Sequence, residues 1–257
     1  MENNKKNTIT GLAIVFNEEK NVAELIQNLS FVDELILVDS FSSDKTVEII
    51  KSFDHVKLIQ NKFIDFTSQR NLAIDNAHSE WVLFLDADER IPEKLKQEIR
   101  ICVQNENAND AYYFYRKFMF KGKPLHFSGW QTDKNFRLFK RDKAYYKSER
   151  LVHETLNVNG TTGILKNKLI HYSYNDYTYY KNKMISYGKL RAKELFQKNK
   201  KPTFFHSYIK PVYKFLFDYF IRLGILDGKK GIIICYLNAL SVAVRYSELK
   251  KLINTSS

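Results

Sequence analysis

The sequence predicts an α/β protein: an open, mostly parallel sheet flanked by helices, continued by a basic helical C-terminal region. Three observations predict it. Short apolar runs alternate with helical patterns through the first hundred residues. A polar residue stands where most of these runs end, at Asn17, Asp39 and Asp86 with Asp88. Beyond that point the charge inverts: residues 1–100 carry 12 Lys/Arg against 18 Asp/Glu, and residues 101–257 carry 29 against 11.

Leu12–Phe16 reads as the first buried strand, since a strand covered on both faces is a continuous apolar run. Val22, Leu25, Ile26 and Leu29 then recur on one face of a helix. Leu35–Val38 is the second strand, and Ser42, Ser43 and Asp44 offer N-caps to a helix showing Val47, Ile50 and Phe53. Val56–Ile59 is the third strand. A helix over Thr67–Ala77 leads to the fourth, Trp81–Leu85, and Pro92 suits the first position of another helix, with Leu95 and Ile99 facing inward. The pattern changes after about residue 110. Ala111–Phe120 alternates like a strand, Asn135–Phe139 is another, and residues 176–257 are mostly helical. Three segments are expected: 1–105 and 106–175 as two halves of one catalytic domain, and 176–257 as the basic appendage.

Composition narrows the function. Hydrophobic residues at 44% and charged residues at 27% make a globular chain rather than a disordered one. Cys102 and Cys235 are too few and too far apart for a disulfide framework or a zinc site. The first ten residues lack an apolar run, so no secretory signal is expected. No stretch of 18 apolar residues occurs, so a membrane-spanning helix is not expected either.

Ligands of open parallel sheets bind at the carboxyl ends of the strands, where the polar residues cluster. The strongest signal is Leu83-Phe84-Leu85-Asp86-Ala87-Asp88-Glu89. Two carboxylates spaced i, i+2 at a strand end suit a hard divalent cation, Mg²⁺ or Mn²⁺, shared with a diphosphate. Asp39 is placed to accept hydrogen bonds from a ribose or base. Phe16 is placed to stack on a base, and Arg70 to reach a base carbonyl or a phosphate.

The ordered set Ile14–Glu19, Asp39 with Ser42-Ser43-Asp44-Lys45-Thr46, Gln69-Arg70-Asn71 and Leu85–Glu89 resembles the family 2 glycosyltransferases. Within that family it resembles the bacterial lipopolysaccharide-core and lipooligosaccharide β-glucosyltransferases. The resemblance continues through Phe136-Arg137-Leu138-Phe139, Val152-His153-Glu154 and Leu223–Gly231. It implies a GT-A-type, Rossmann-like fold, a nucleotide-diphospho-sugar donor (a UDP-hexose), a divalent metal and inversion at the anomeric carbon. By the same resemblance Phe16, Asn17, Glu19, Asp39 and Arg70 line the nucleoside, Asp86 sits near the ribose or the metal, and Asp88 touches the metal. The acceptor it implies is a glycan or glycolipid of a bacterial cell-envelope polysaccharide.

A metal-bound nucleoside diphosphate leaves without a general acid, so an inverting transfer needs one base for the acceptor hydroxyl. Glu154 is the candidate. Relatives often carry a Glu-Asp pair where this chain has His153-Glu154, which leaves His153 as the base or as an orienting partner. Trp130 is a candidate for stacking on a sugar face and Asp133 a lesser candidate base. The remaining histidines, His55, His78, His126, His171 and His206, have no ligand spacing and read as ordinary structural residues.

In residues 203–223 aromatic and aliphatic residues alternate with Lys and Arg, as in an interfacial helix lying on anionic lipid. Gly231–Val244 is apolar but only 14 residues long, too short to span a bilayer. The location expected is cytoplasmic, peripheral on the inner face of the membrane. Other readings are a transferase to a polyprenyl-phosphate carrier, a sugar-phosphate nucleotidyltransferase and a nucleic-acid-binding protein. The nucleotidyltransferase lacks its glycine-rich loop, because Asn17-Glu18-Glu19 stands there. A nucleic-acid reader lacks a reading motif, so nucleic acid is not an expected partner.

Overall fold

The structure, a computed structural model, describes residues 7–147, 155–174 and 177–255. It divides into two compact units, residues 1–116 with 134–171 and residues 117–133 with 172–257. Residues 117–133 therefore group with the C-terminal helices.

The first unit holds the expected alternation. In chain order it runs β1 (Ile9–Val15), α1 (Val22–Asn28), β2 (Glu34–Asp39), α2 (Thr46–Lys51), β3 (Val56–Gln60), α3 (Phe66–Asp75), β4 (Trp81–Phe84), β5 (Glu89–Arg90) and α4 (Glu93–Gln104). β6 (Ala111–Phe120) follows and ends in the second unit, where β7 (Lys123–Leu125) pairs with it. Then come β8 (Lys134–Lys140), β9 (Ala144–Lys147), β10 (Thr155–Val158), β11 (Thr162–Ile164) and β12 (Leu169–Tyr174). The sheet order is β3-β2-β1-β4-β8-β6-β12-β5. The β3-β2-β1-β4 portion is parallel, and β8 joins β4 antiparallel. The order reverses between β1 and β4, the switch point at which such sheets open a crevice for ligand.

The continuous apolar runs have a direct cause: the parallel strands are covered on both faces. Ala13, Leu37 and Leu83 pack with Leu25, Ile26 and Leu95 of the helices. Their neighbours Leu12, Ile36, Val38 and Phe84 pack on the other side with Ala73, Ile74 and Tyr146. Pro92 is the N-cap rather than the first residue of α4, with ψ 157°. Its ring still suits the entry, because the missing N–H would have no helical partner.

The second unit is helical: α5 (Tyr177–Gln197), α6 (Lys210–Leu216) and α7 (Lys229–Thr255). π-helical turns at Phe205–Ile209 and Phe217–Ile221 flank α6. α5 and α7 approach closely because of Gly188, where a Cβ would lie 2.7 Å from the Ser241 carbonyl oxygen. The Leu223–Gly231 motif is a turn built on contact. A Cβ at Gly231 would lie 1.8 Å from the Gly224 carbonyl oxygen. Asp227 accepts from the backbone N–H groups of His126 and Phe127, both at 2.9 Å. α7 is 27 residues long, well beyond its apolar run, and an 18-residue window has mean hydropathy 1.3. By length and composition it could cross a membrane. About 39% of that window is buried, including Ile234, Leu237 and Val242, and Ile234 and Leu237 join a core with Phe118, Phe120 and Tyr180.

Candidate active site

The site is built where β1, β2 and β4 end. Asn17 leaves β1 in a left-handed conformation, φ 55°, and Phe41 leaves β2 in the same region, φ 60°. Such angles are uncommon outside glycine and gather at functional loops. Reciprocal hydrogen bonds zip the two loops together. The Asn17 N–H donates to Ser42 Oγ at 2.8 Å, and the Ser43 N–H donates back to Asn17 Oδ1 at 2.8 Å. The Glu19 N–H donates to Asp44 at 3.1 Å, and the Lys45 N–H donates to the Glu19 carboxylate at 3.2 Å.

Asp39 is fully buried. It accepts from the Ser42 N–H at 3.1 Å, from the Ser42 hydroxyl and from Gln60 Nε2 at 3.1 Å. Of the expected nucleoside residues, Asn17 and Glu19 thus bond to the loop after β2, while Asp39 lies beneath it with its carboxylate occupied by Ser42 and Gln60. Phe16 and Phe41 are each 57% exposed. Phe16 was expected as a stacking surface. Phe41 has no motif to mark it, and its strained backbone is the structural sign.

α3 ties the second strand end to the fourth. Asp65 caps it by accepting from the Ser68 N–H at 2.7 Å. The cap sets two consecutive residues: Gln69 donates to Ser40 Oγ at 2.9 Å, and Arg70 Nη2 meets Asp86 Oδ1 at 2.8 Å. The Arg70 guanidinium also lies 4.7 Å from the Phe84 ring centre and 5.2 Å from that of Tyr146. Arg70 was expected to reach a base or phosphate; the structure places it beneath the DAD as a buried counter-charge.

The two carboxylates of the DAD have different surroundings, although about 30% of each side chain is exposed. Asp86 accepts from both Arg70 and Arg137. Burial pushes its carboxyl upward, but the charges of Arg137, then Arg70, outweigh that and hold it well below the usual carboxylate range. Asp88 meets His171 Nε2 at 3.1 Å. β12 brings His171 there, because it pairs with Glu89 of β5. His171, which the sequence left as an ordinary structural residue, therefore lies beside a carboxylate of the DAD; its partner is 83 residues away, a distance that spacing rules do not cover.

Beneath them lies a charge network that sequence reasoning missed. Glu89 is fully buried and pairs with Arg137 at 2.7 Å and Arg116 at 3.4 Å. Its Oε2 accepts from the Asp86 N–H at 3.1 Å, which fixes the turn after β4. Arg137 was legible as an anomaly, a charge inside the apolar strand Phe136–Phe139. Glu18 was passed over between Asn17 and Glu19. Burial, then the nearby charges of Asp88 and Asp44, push its carboxyl above the ordinary range, although its bond from Asn21 opposes them.

A hard divalent cation fits this donor set in one way. Among the described residues no group of three or more His, Cys, Asp or Glu side chains forms a protein cage. A carboxylate, with phosphate oxygens completing the shell, matches a cation shared with a substrate. Asp88, with His171 beside it, is the carboxylate of that kind, while two guanidinium groups meet Asp86. The expected bases His153 and Glu154 lie outside the described residues. Trp130 and Asp133 belong to the second unit, where Trp130 packs on Phe118 with ring centres 4.1 Å apart.

Comparisons with known proteins agree with this architecture. An uncharacterized glycosyltransferase of Rickettsia typhi is 27% identical over 255 residues, covering 95% of this chain and 87% of the relative. The lipopolysaccharide core biosynthesis glycosyltransferase LpsC of Rhizobium meliloti is 22% identical over 254 residues, covering 93% of each. Among solved structures, a mannosyltransferase of Pyrobaculum calidifontis in complex with GDP-Man and Mn²⁺ superposes with TM-score 0.52 at 14% identity, covering 98% of this chain and 76% of that one. Residues 1–349 of TarS from S. aureus superpose with TM-score 0.50 at 15% identity, covering 96% and 92%. The fold is that of the GT-A glycosyltransferases. The sequence model described as Glycosyl transferase family 2 matches residues 12–156, more than half of the chain, and on that ground the protein belongs to family 2 of the glycosyltransferases.

Proposed function

We propose that this enzyme is an inverting hexosyltransferase that takes its sugar from a nucleotide-diphospho-sugar, a UDP-hexose, and passes it to a glycan or glycolipid of the cell envelope. One observation carries the reading: the loops after β1, β2 and β4 are joined through Ser42, Gln69 and Arg70 into one polar rim at the switch point of the sheet. The zipped loops hold Phe16 and Phe41 ready for a base, and Asn17, Glu19 and Asp39 fix the pocket that receives the nucleoside. Arg70 and Arg137 anchor Asp86 and the turn that follows, so that Asp88, with His171 beside it, is set for a cation, Mg²⁺ or Mn²⁺, on the diphosphate. When bound, that cation neutralises charge developing on the leaving diphosphate.

Inversion needs one displacement and one base. Glu154, with His153 as its orienting partner or substitute, takes the proton of the acceptor hydroxyl. Glu154→Gln is expected to lower turnover by about 10²–10⁴-fold while leaving donor affinity near that of the parent; single-turnover transfer and a donor titration check the two halves. The envelope acceptor is supported by the resemblance to lipopolysaccharide-core transferases and by the full-length similarity to LpsC. The basic region, 176–257, keeps the enzyme on the anionic inner face of the cytoplasmic membrane. The test is a donor screen. Purified protein is given UDP-glucose, UDP-galactose, GDP-mannose and their free nucleotides, and nucleotide release is followed with Mn²⁺, with Mg²⁺ and with chelator. Metal-dependent release from a UDP-hexose is the expected result. Release from none of the sugars, with binding of an oligonucleotide instead, would overturn the reading.

A further inference from the structure

The helix from Phe205 to Ile221 is inside out. Phe204, Tyr208, Val212, Leu216 and Phe220, four residues apart, are all exposed, and in the row beside them Phe205, Ile209, Tyr213 and Ile221 are exposed with Phe217 half-buried. In a regular α-helix a period of four drifts by about 40° per turn, so the rows would wind around it. The two π-helical turns hold more residues per turn and cancel that drift, which keeps both rows on one face.

A third row, His206, Lys210, Lys214, Asp218 and Arg222, is polar. Lys210 donates to the Tyr246 hydroxyl of α7 at 3.0 Å. Lys214 meets the fully buried Asp218 at 2.9 Å, and Asn238 of α7 donates to Asp218 at 3.1 Å. A soluble helix buries its apolar stripe; this one turns charge inward and aromatic side chains outward, the arrangement suited to an apolar exterior.

Behind the helix lies a cavity of about 270 Å³, whose lining includes Trp130, Asp133, Lys214, Arg222, Asn238 and Arg245. Its basic groups exceed its acidic ones. Lys214 and Arg222 share the carboxylate of Asp218, at 2.9 and 3.9 Å. Arg245 makes no hydrogen bond or ion pair with the described residues, and its Nε is buried. Gly129, φ +94°, leaves room for Arg222, whose Nη1 would lie 2.4 Å from a Cβ there. Cations at a partly enclosed wall call for an anion.

We propose that this cavity holds the phosphate-bearing headgroup of an anionic membrane lipid while the outer rows of the helix lie in the acyl-chain boundary. The inference rests on the membrane reading of the basic region given above and adds a defined site to it. Short-chain lipids below their micelle concentration test it on the full chain. Trp130 fluorescence reports the cavity, and the chain's other tryptophan, Trp81, is buried in β4 and gives a constant background. Dihexanoyl phosphatidylglycerol should give a saturable change and dihexanoyl phosphatidylcholine none. Inorganic phosphate should bind at least about tenfold more weakly, and Arg245→Gln and Arg222→Gln should each weaken the lipid about tenfold or more. Arg222 is 42% exposed, so its variant gives a folded test if Arg245→Gln does not fold.

An equal response to phosphatidylcholine, equal affinity for inorganic phosphate, or parental titration by the folded variants overturns the headgroup site. Sedimentation of the parent with phosphatidylglycerol vesicles at low salt separates the two claims. If the parent stays in the supernatant, the membrane reading itself fails. If it sediments but the folded variants titrate unchanged, only the headgroup site falls.

Discussion

Glu89 in the first unit and Asp218 in the second are both fully buried carboxylates held by two cations. Around Glu89 the cations are buried as well: Arg137 keeps 4% of its side chain exposed and Arg116 13%. Around Asp218 they are only partly buried, Lys214 at 34% and Arg222 at 42% exposed. The first arrangement is a closed network under a strand end, fixing one turn. The second is open on one side, between a helix with an apolar outer face and a cavity. Similar charges thus build a rigid floor for a site in one place and an unfinished wall in the other.

The largest expected effect breaks the closed network. Arg137→Ala leaves Glu89 and Asp86 short of a counter-charge and should destabilise the protein by about 3–5 kcal/mol, read by urea unfolding at pH 7. The pH dependence sharpens this. Because the Asp86 pKa is depressed in the folded state, its stabilisation is present above the unfolded value of about 3.9 and is lost as pH falls through the folded value. The gap between parent and Arg137→Ala should therefore narrow on going from pH 7 to strongly acidic pH.

The open arrangement should be more forgiving. Asp218→Asn removes the shared carboxylate, but Lys214 and Arg222 can turn to water, so a loss of about 1–3 kcal/mol is expected in the same assay. A loss as large as that of Arg137→Ala would mean that the two networks are equivalent. The smallest effect belongs to the outer rows. Phe220→Ser touches an exposed ring and should change stability by no more than about 0.5 kcal/mol, while reducing sedimentation with anionic vesicles. A large stability loss there would show that Phe220 is packed rather than presented.

The same contrast explains what could be read in the sequence. Runs such as Leu35–Val38 and Trp81–Leu85 are local signals, because both faces of a parallel strand are covered and every residue reports it. The strand-end motifs followed from the same logic. Partnerships did not, since Arg70 with Asp86, Arg137 with Glu89 and His171 with Asp88 join residues 16 to 83 positions apart. Arg70 was expected to reach a base carbonyl or a phosphate, and a periodicity cannot show that Phe84 and Tyr146 also lie against it. The helix near residue 210 was legible as aromatic and basic, but its inversion was not. A period of four matches an ordinary α-helix poorly, and the π turns that accommodate it have no simple sequence mark.

Asp88, the carboxylate at the strand end, is proposed to serve a cation on a nucleoside diphosphate. UDP titration of the parent and of Asp88→Ala, each with Mn²⁺ and with chelator, tests it most directly, with thermal unfolding to show that both are folded. The parent should bind UDP more tightly with Mn²⁺, and Asp88→Ala should lose about tenfold or more of that affinity and bind equally with and without the metal. An undiminished metal dependence in a folded Asp88→Ala protein would contradict it.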